Sequence, residues 1–371
     1  MNKYWAHFPI YLSLIYFPVA SLVLKLFGIV INYDAIWIIV FTMFLLFGRP
    51  KIYLSSISFI FILLFVARYL SPLFLTNEVN LKALIMDGKY LFYIIFVFLW
   101  VNKFERISLE ETYKSIIFFS KLYIFFTVIR LLVLPDIDRD GILMEANYDG
   151  FMILLGICIK DIVGGKKEDL IILTLATFCT LSRTGIACLL VLLLYRIAKQ
   201  NFYLVFLAAP ILLLSIWIAI SIRGEESVEH LDRFVFFEQA AVYFGETDLI
   251  SLLFGSPPGV SLNMSVIPQF EWYIDHFEEG KNISGIYPFY FHSTYLRLAF
   301  TWGLLVVIVF VLFLLYKIIK SNLDSEKYFY ILVLIQSISL STLTIPNLSI
   351  LVFITFALIN RKEKELLGEN V

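Results

Sequence analysis

The sequence predicts an all-α polytopic membrane protein of about twelve transmembrane helices with one large outer loop, and composition, run length and charge placement predict it. Of 371 residues, 60% are hydrophobic and only 16% charged, with a mean hydropathy of +0.88; a soluble globular chain carries about 25% charge. The apolar residues fall into runs that match the roughly 20 residues needed to cross about 30 Å of hydrocarbon. Lysine and arginine gather in alternate connections, as the positive-inside rule requires of short cytoplasmic loops.

Taken in order, windows of that length predict helices near 9–31, 34–48, 52–70, 83–101, 114–134, 142–161, 169–182, 184–197, 202–222, 291–317, 328–345 and 347–360. Met1 to Ser21 has Lys3 ahead of an apolar run but no small-residue cleavage site, so it reads as a retained first helix and not a signal peptide. One set of connections holds Arg49 and Lys51, Lys103 and Arg106, Lys166 and Lys167, Arg196 and Lys199, and Lys317 and Lys320. The other holds Asp34, Glu78, the turn Asp136 to Asp140, and the acidic interval that includes Glu225, Glu229 and Asp248. Both termini are therefore expected in the cytoplasm, with residues 1–371 forming one transmembrane domain and 223–290 a large loop outside.

The helices flanking Leu181-Ser182-Arg183 are too short to carry their shared turn out of the bilayer, and the pair around Pro346-Asn347 has the same shape. Irregular backbone at that depth is tolerated only when protein covers it or it lines a cavity. Inside the loop, Leu231, Val235, Phe236 and Ala240 recur at helical spacing, and Phe254-Gly255-Ser256-Pro257-Pro258-Gly259 is turn chemistry that stops a helix. Phe270, Trp272, Tyr273, Phe277, Tyr287, Phe289 and Tyr290 then form an aromatic return, a pattern expected at the membrane interface or stacked on sugars. The three cysteines, Cys158, Cys179 and Cys188, lie in apolar runs and read as buried, inert thiols. The sequons at Asn263 and Asn282 carry no weight outside a eukaryotic secretory pathway.

Ionisable groups inside spans are costly and usually functional. Lys25, Arg68, Lys89, Arg130 and Arg183 all fall in the outer halves of their helices, where topology disfavours cations, and Glu145, Asn147 and Asp149 begin the sixth helix. Snorkelling to the interface is the plain explanation for the lysines and Arg130. As a set, the cations instead predict an outward-facing basic pocket for a phosphate-bearing lipid head, since guanidinium groups favour such partners. His292, at the start of the tenth helix, is either an interfacial residue or a general base, its ordinary pKa of about 6.5 suiting proton transfer. His230 and His276 sit in acidic loop sequence, His7 at the cytoplasmic edge, and none of these is expected to act. Asp136 and Asp138 read as solvated acids of a polar turn, so no metal and no cofactor is expected.

Several of these features resemble one family. Leu181-Ser182-Arg183 ends a short span; Asp232-Arg233-Phe234 opens the loop helix; the Phe254 to Gly259 turn follows; and His292-Ser293-Thr294-Tyr295-Leu296 leads through Gly303 into the next span. In this order, around one large outer loop, they resemble the O-antigen polymerase and O-antigen ligase superfamily, from the sixth helix to the C-terminus. Ser293 stands where the family often has Asn, Val306 where it has a second small residue, and its Asn-rich motif is reduced to Glu145-Ala146-Asn147. The resemblance implies a metal-independent inverting glycosyltransferase in the bacterial inner membrane, using an undecaprenyl-diphosphate-linked oligosaccharide.

On that reading His292, Arg183 and Arg233 are catalytic, and Arg68, Arg130, Lys89, Glu145, Asn147 and Tyr295 bind the diphosphate or glycan. The expected partners are that lipid-linked donor, membrane lipids, and flippase and chain-length regulator proteins, with no nucleic acid. Three functions remain open: a polymerase joining repeat units of O-antigen, capsule or exopolysaccharide; a ligase passing finished glycan to lipid A core; and a lipid-linked-glycan flippase or transporter. The last needs no large outer loop and predicts cations reachable from both faces, so the outward bias of the cations counts against it.

Overall fold

The computed structural model describes residues 3–25, 27, 29, 32–48, 56–76, 78–104, 107–133, 143, 145–201, 203, 210, 232–268, 270–271, 274 and 285–367. These residues are all-helical, and their one β-type pairing is an isolated bridge between Leu262 and Ile286. The predicted span 202–222 falls almost wholly outside them, as do Asp136, Asp138, His230, His276, Trp272, Tyr273 and Phe277.

After a first turn at Lys3–Ala6 the helices are α1 (Phe8–Leu24), α2 (Tyr33–Phe47), α3 (Ser56–Leu70), α4 (Leu81–Lys103), α5 (Leu109–Val133), α6 (Ala146–Ile159), α7 (Lys167–Cys179) and α8 (Arg183–Gln200). Then come α9 (Asp232–Glu246), α10 (Leu249–Phe254), α11 (Thr294–Trp302), α12 (Leu304–Lys320), α13 (Asp324–Ser339) and α14 (Pro346–Leu367). Among the described residues two helices, Leu81–Lys103 and Leu109–Leu132, are long and apolar enough to cross a membrane, and α1, α2 and α6 are shorter apolar helices.

Local chemistry explains the boundaries. Pro18 has no N–H to donate, and the turn before it, Leu12–Tyr16, widens into a π-helix. Asn80 caps α4 by accepting from the amides of Lys82 and Ala83, and Asp248 caps α10 by accepting from Ile250 and Ser251. The exposed Asp248 carboxyl is held below the usual range by its hydrogen bond with the Ser251 side chain, reinforced by the capping amides.

Helix α6 is the axis of the bundle. Every residue from Asp149 to Ile159 is buried, as expected of a helix that is apolar all round. It packs against α5, α7, α8, α13 and α14. A second core lies under the loop, where Phe236 of α9 stacks on Phe270 with ring centroids 5.3 Å apart and Phe291 meets Phe300 at 4.5 Å. Phe270, Tyr287, Phe289 and Tyr290 are thus buried among other rings, in place of the interfacial or sugar-stacking position expected from sequence. Their apolar faces satisfy one another once the loop folds back.

The helix expected over 291–317 is broken. Gly303, at φ 82°, ends α11 and starts α12, and a Cβ there would lie 2.0 Å from the Leu253 carbonyl oxygen. Gly255, at φ 81°, faces it, with its own Cβ position 2.6 Å from the backbone of Thr301 and Trp302. Two glycines therefore let the turn after α10 cross the chain backbone to backbone. The Ser256 amide seals the crossing by donating to Phe300 O at 2.7 Å.

Candidate functional site

The turn between α7 and α8 is a strained corner in which Thr180 and Ser182 are buried and Leu181 is exposed. Leu181 adopts φ 51°, a left-handed conformation disfavoured for a branched side chain. Ser182, fully buried, caps α8 by accepting from the Gly185 amide at 3.0 Å. Its hydroxyl donates to Asn147 Oδ1 at 2.8 Å, and Asn147 Nδ2 reaches Glu145 Oε1 at 3.3 Å. Gly150 lies against this turn, its Cβ position 3.3 Å from Thr180 Oγ1 and 3.5 Å from Ser182 Cβ. The structure thus brings Glu145 and Asn147 against the turn that presents Arg183, which is half-buried as the first residue of α8. Thr127, one turn before Arg130 on α5, is in side-chain contact with Cys179 at the end of α7, so the Arg130 end of α5 flanks the same corner.

A second irregular stretch, 340–345, separates α13 from α14 and is rich in buried hydroxyls. It receives the start of α11. Thr294 donates through both its amide and its hydroxyl to Leu340 O, at 3.0 and 2.8 Å. Ser293 caps α11 and donates to Ser337 O at 3.0 Å, and Ser341 donates to Phe291 O at 3.1 Å. On the other side, Ser339 donates to Thr184 Oγ1 at 2.8 Å. The residue after Arg183 and the residues beside His292 are therefore joined through one short seam of hydroxyls and carbonyls. His292 is half-buried, and its ring sits 6.4 Å from that of Phe236 on α9. Arg233 is one turn before Phe236 on the same helix, which carries its backbone toward His292; its side chain lies outside the described residues.

The remaining expected site residues are held by the protein itself. Arg68 Nη2 donates to the carbonyls of Phe254, Gly255, Ser256 and Thr301 at 3.0 to 3.3 Å, clasping both sides of the Gly255–Gly303 crossing. Lys89 pairs with Asp34 of α2 at 3.1 Å, and Tyr93 donates to the same carboxylate. Tyr295 donates its hydroxyl to Leu334 O at 2.6 Å. Of the nine predicted residues, Glu145 and Asn147 contact the Ser182 turn, Arg183 and His292 are the chain neighbours of the seam residues Thr184 and Ser293, the Arg233 and Arg130 backbones lie one turn from Phe236 and Thr127, and Arg68, Lys89 and Tyr295 have protein partners elsewhere.

Sequence reasoning passed over two charges, one half-buried and one buried. Arg297 of α11 donates from Nε to Phe291 O at 2.6 Å, from Nη1 to Thr344 Oγ1 at 2.7 Å, and from Nη2 to Phe289 O. Asp87 of α4 is 4% exposed and lies beside the backbone amides of Gly259 and Phe289. Both line a cavity of about 20 Å³, with Tyr90, Thr294, Thr301 and Thr344; that is room for about one water. The charge of Arg297 acts on both Asp87 and Lys89. The signal was an arginine five residues after His292 and a carboxylate within an apolar span, each anomalous for its surroundings.

No protein-family model matches the chain, and neither a curated protein nor a solved structure matches it.

Proposed function

We propose that the chain is a polysaccharide polymerase, joining undecaprenyl-diphosphate-linked oligosaccharide repeat units at the outer face of a bacterial inner membrane. In this reading it crosses the membrane about twelve times, with both termini in the cytoplasm and the interval 223–290 outside. Large apolar side chains exposed on α2, α4, α5 and α12, among them Phe47, Ile85, Leu132 and Ile308, support a lipid-facing belt. The buried hydroxyl residues of the two corners, Thr180 and Ser182 in one and Ser341 and Thr342 in the other, fit irregular backbone covered by protein at membrane depth.

The observation that carries the reading is the seam that joins Thr184, next to Arg183, to Thr294, two residues after His292, through Ser339 and Leu340. An arginine and a histidine next to one irregular junction suit glycosyl transfer. The acceptor hydroxyl oxygen bonds to the anomeric carbon of the donor, the bond from that carbon to the diphosphate oxygen breaks, and the electron pair leaves with the lipid diphosphate. His292 takes the hydroxyl proton. Arg183 and Arg233 neutralise charge gathering on the diphosphate, and Arg130 is the reserve cation at the rim.

The test is incubation of purified protein with lipid-linked repeat units. A polymerase yields a ladder of products; a single transfer to a core acceptor assigns a ligase, and no product with movement of the lipid across the bilayer assigns a flippase. Arg183→Ala and Arg233→Ala should abolish chain extension while the protein stays in the membrane, and His292→Ala should cost about 10²-fold or more. Long-chain glycan of normal length from both arginine variants would overturn the diphosphate role.

A further inference from the structure

The backbone that leads into His292 is held from an unexpected side. The carbonyl of Phe291, in the peptide group that leads into His292, accepts from Arg297 Nε at 2.6 Å and from Ser341 Oγ at 3.1 Å. Two residues earlier, Phe289 O accepts from Arg297 Nη2. The third arm of the same guanidinium reaches Thr344 Oγ1, on the stretch between α13 and α14 that also anchors Thr294. Arg297 therefore ties the approach to His292, the start of α11 and the 340–345 stretch into one unit.

A half-buried guanidinium so placed is favoured by a carboxylate nearby, because drawing a cation out of water is costly. Asp34 is already engaged by Lys89 and Tyr93. Asp87 is buried, shares the small cavity with Arg297, and feels its charge. It also has the backbone amides of Gly259 and Phe289 close by, so it faces the segment that Arg297 clamps.

We propose that Arg297 is the positioning residue for His292 and that Asp87, across the cavity, supplies the charge that holds Arg297 in place. This rests on His292 acting in the transfer reaction, but the clamp can be tested without that reaction. The experiment is diethyl pyrocarbonate labelling of the full-length protein in lipid nanodiscs, with modification quantified separately at His292 and at His7. His7 is buried, its Nε2 accepts from the Ser108 amide, and it serves as the internal reference.

Arg297→Gln should raise the His292 labelling rate by about tenfold, the effect of losing one charge-assisted hydrogen bond on the population of the released segment, with His7 unchanged. Asp87→Asn, which keeps the shape and removes the charge, should raise it in the same direction. The double variant should rise no further than Arg297→Gln alone, and Arg297→Lys should fall between that variant and the parent protein. Unchanged His292 labelling in Arg297→Gln overturns the proposal. So do equal rises at His7 and His292 in both single variants, which would mean general loosening, and a double variant whose effect is the product of the singles, which would uncouple Asp87 from Arg297. If labelling behaves as expected while chain extension in the same variants stays at the parental level, the clamp stands and the role given to His292 in transfer falls.

Discussion

Replacing Gly303 with alanine tests how the loop is docked onto the bundle. The added Cβ would sit 2.0 Å from Leu253 O, whereas ordinary contact begins at 3.4 Å, so the two backbones must part by 1.4 Å, the difference of those values. That movement stretches the Ser256 N to Phe300 O bond from 2.7 Å to about 4 Å, where it no longer counts as a hydrogen bond. It also forces Arg68 to release either Thr301 O or the three loop carbonyls it now spans. The positive φ adds about 1–2 kcal/mol for any side chain, the backbone shift about 1–3 kcal/mol, and the lost bond about 1 kcal/mol. The total of about 3–6 kcal/mol corresponds to a fall of about 6–12 °C in melting temperature at roughly 2 °C per kcal/mol for a long chain.

Two glycines inside the same protein separate these contributions. Gly164 has φ 67° with nothing within 4 Å of its Cβ position, so Gly164→Ala carries only the conformational cost, about 1–2 kcal/mol. Gly245 lies in α9 with open space around it, and Gly245→Ala should be neutral or stabilising, by up to about 1 kcal/mol. The assay is thermal unfolding of purified protein in one detergent at one scan rate, since membrane proteins commonly unfold irreversibly. A Gly303→Ala protein that melts within about 2 °C of Gly164→Ala would refute the backbone crossing.

Arg68→Ala should destabilise by about 2–4 kcal/mol, because four carbonyls lose a shared cationic donor, and in the same melting assay it should be less than additive with Gly303→Ala, since both release one crossing. Lys89→Met and Asp34→Asn should each lower the melting temperature by leaving a partner charge uncompensated, and the double variant should recover most of the loss. If Lys89 also grips the donor, that double variant will be stable yet inactive in the chain-extension assay. Ser182→Ala removes the α8 cap and the bond to Asn147, and should cost about 0.5–2 kcal/mol and speed hydrogen exchange at the Gly185 amide, read by peptide-resolved mass spectrometry; unaltered exchange there would remove Ser182 from the corner.

What the amino-acid order determined by itself is local. Apolar run length marked the helices, and the 3.6-residue recurrence of Phe236 and Ala240 identified the buried face of α9. The expected shortness holds for α7, at 13 residues, but α8 runs 18 residues and α14 runs 22, and in the turn between α7 and α8 Thr180 and Ser182 are buried while Leu181 is exposed. The break at Gly303 was not legible, because a glycine in an apolar run is tolerated in a helix, and only the opposed Gly255 some fifty residues away makes it a crossing. Charge partners were equally hidden. Sequence position placed Arg68 and Lys89 among outward cations, but whether such a group meets a ligand, a carboxylate or a carbonyl depends on which distant segment folds against it. Tertiary structure alone decided that Arg68 holds the loop, that Lys89 answers Asp34, and that Asp87 faces Arg297 from 210 positions away. Periodicity is written along the chain, whereas compensation of buried charge is a property of three-dimensional packing.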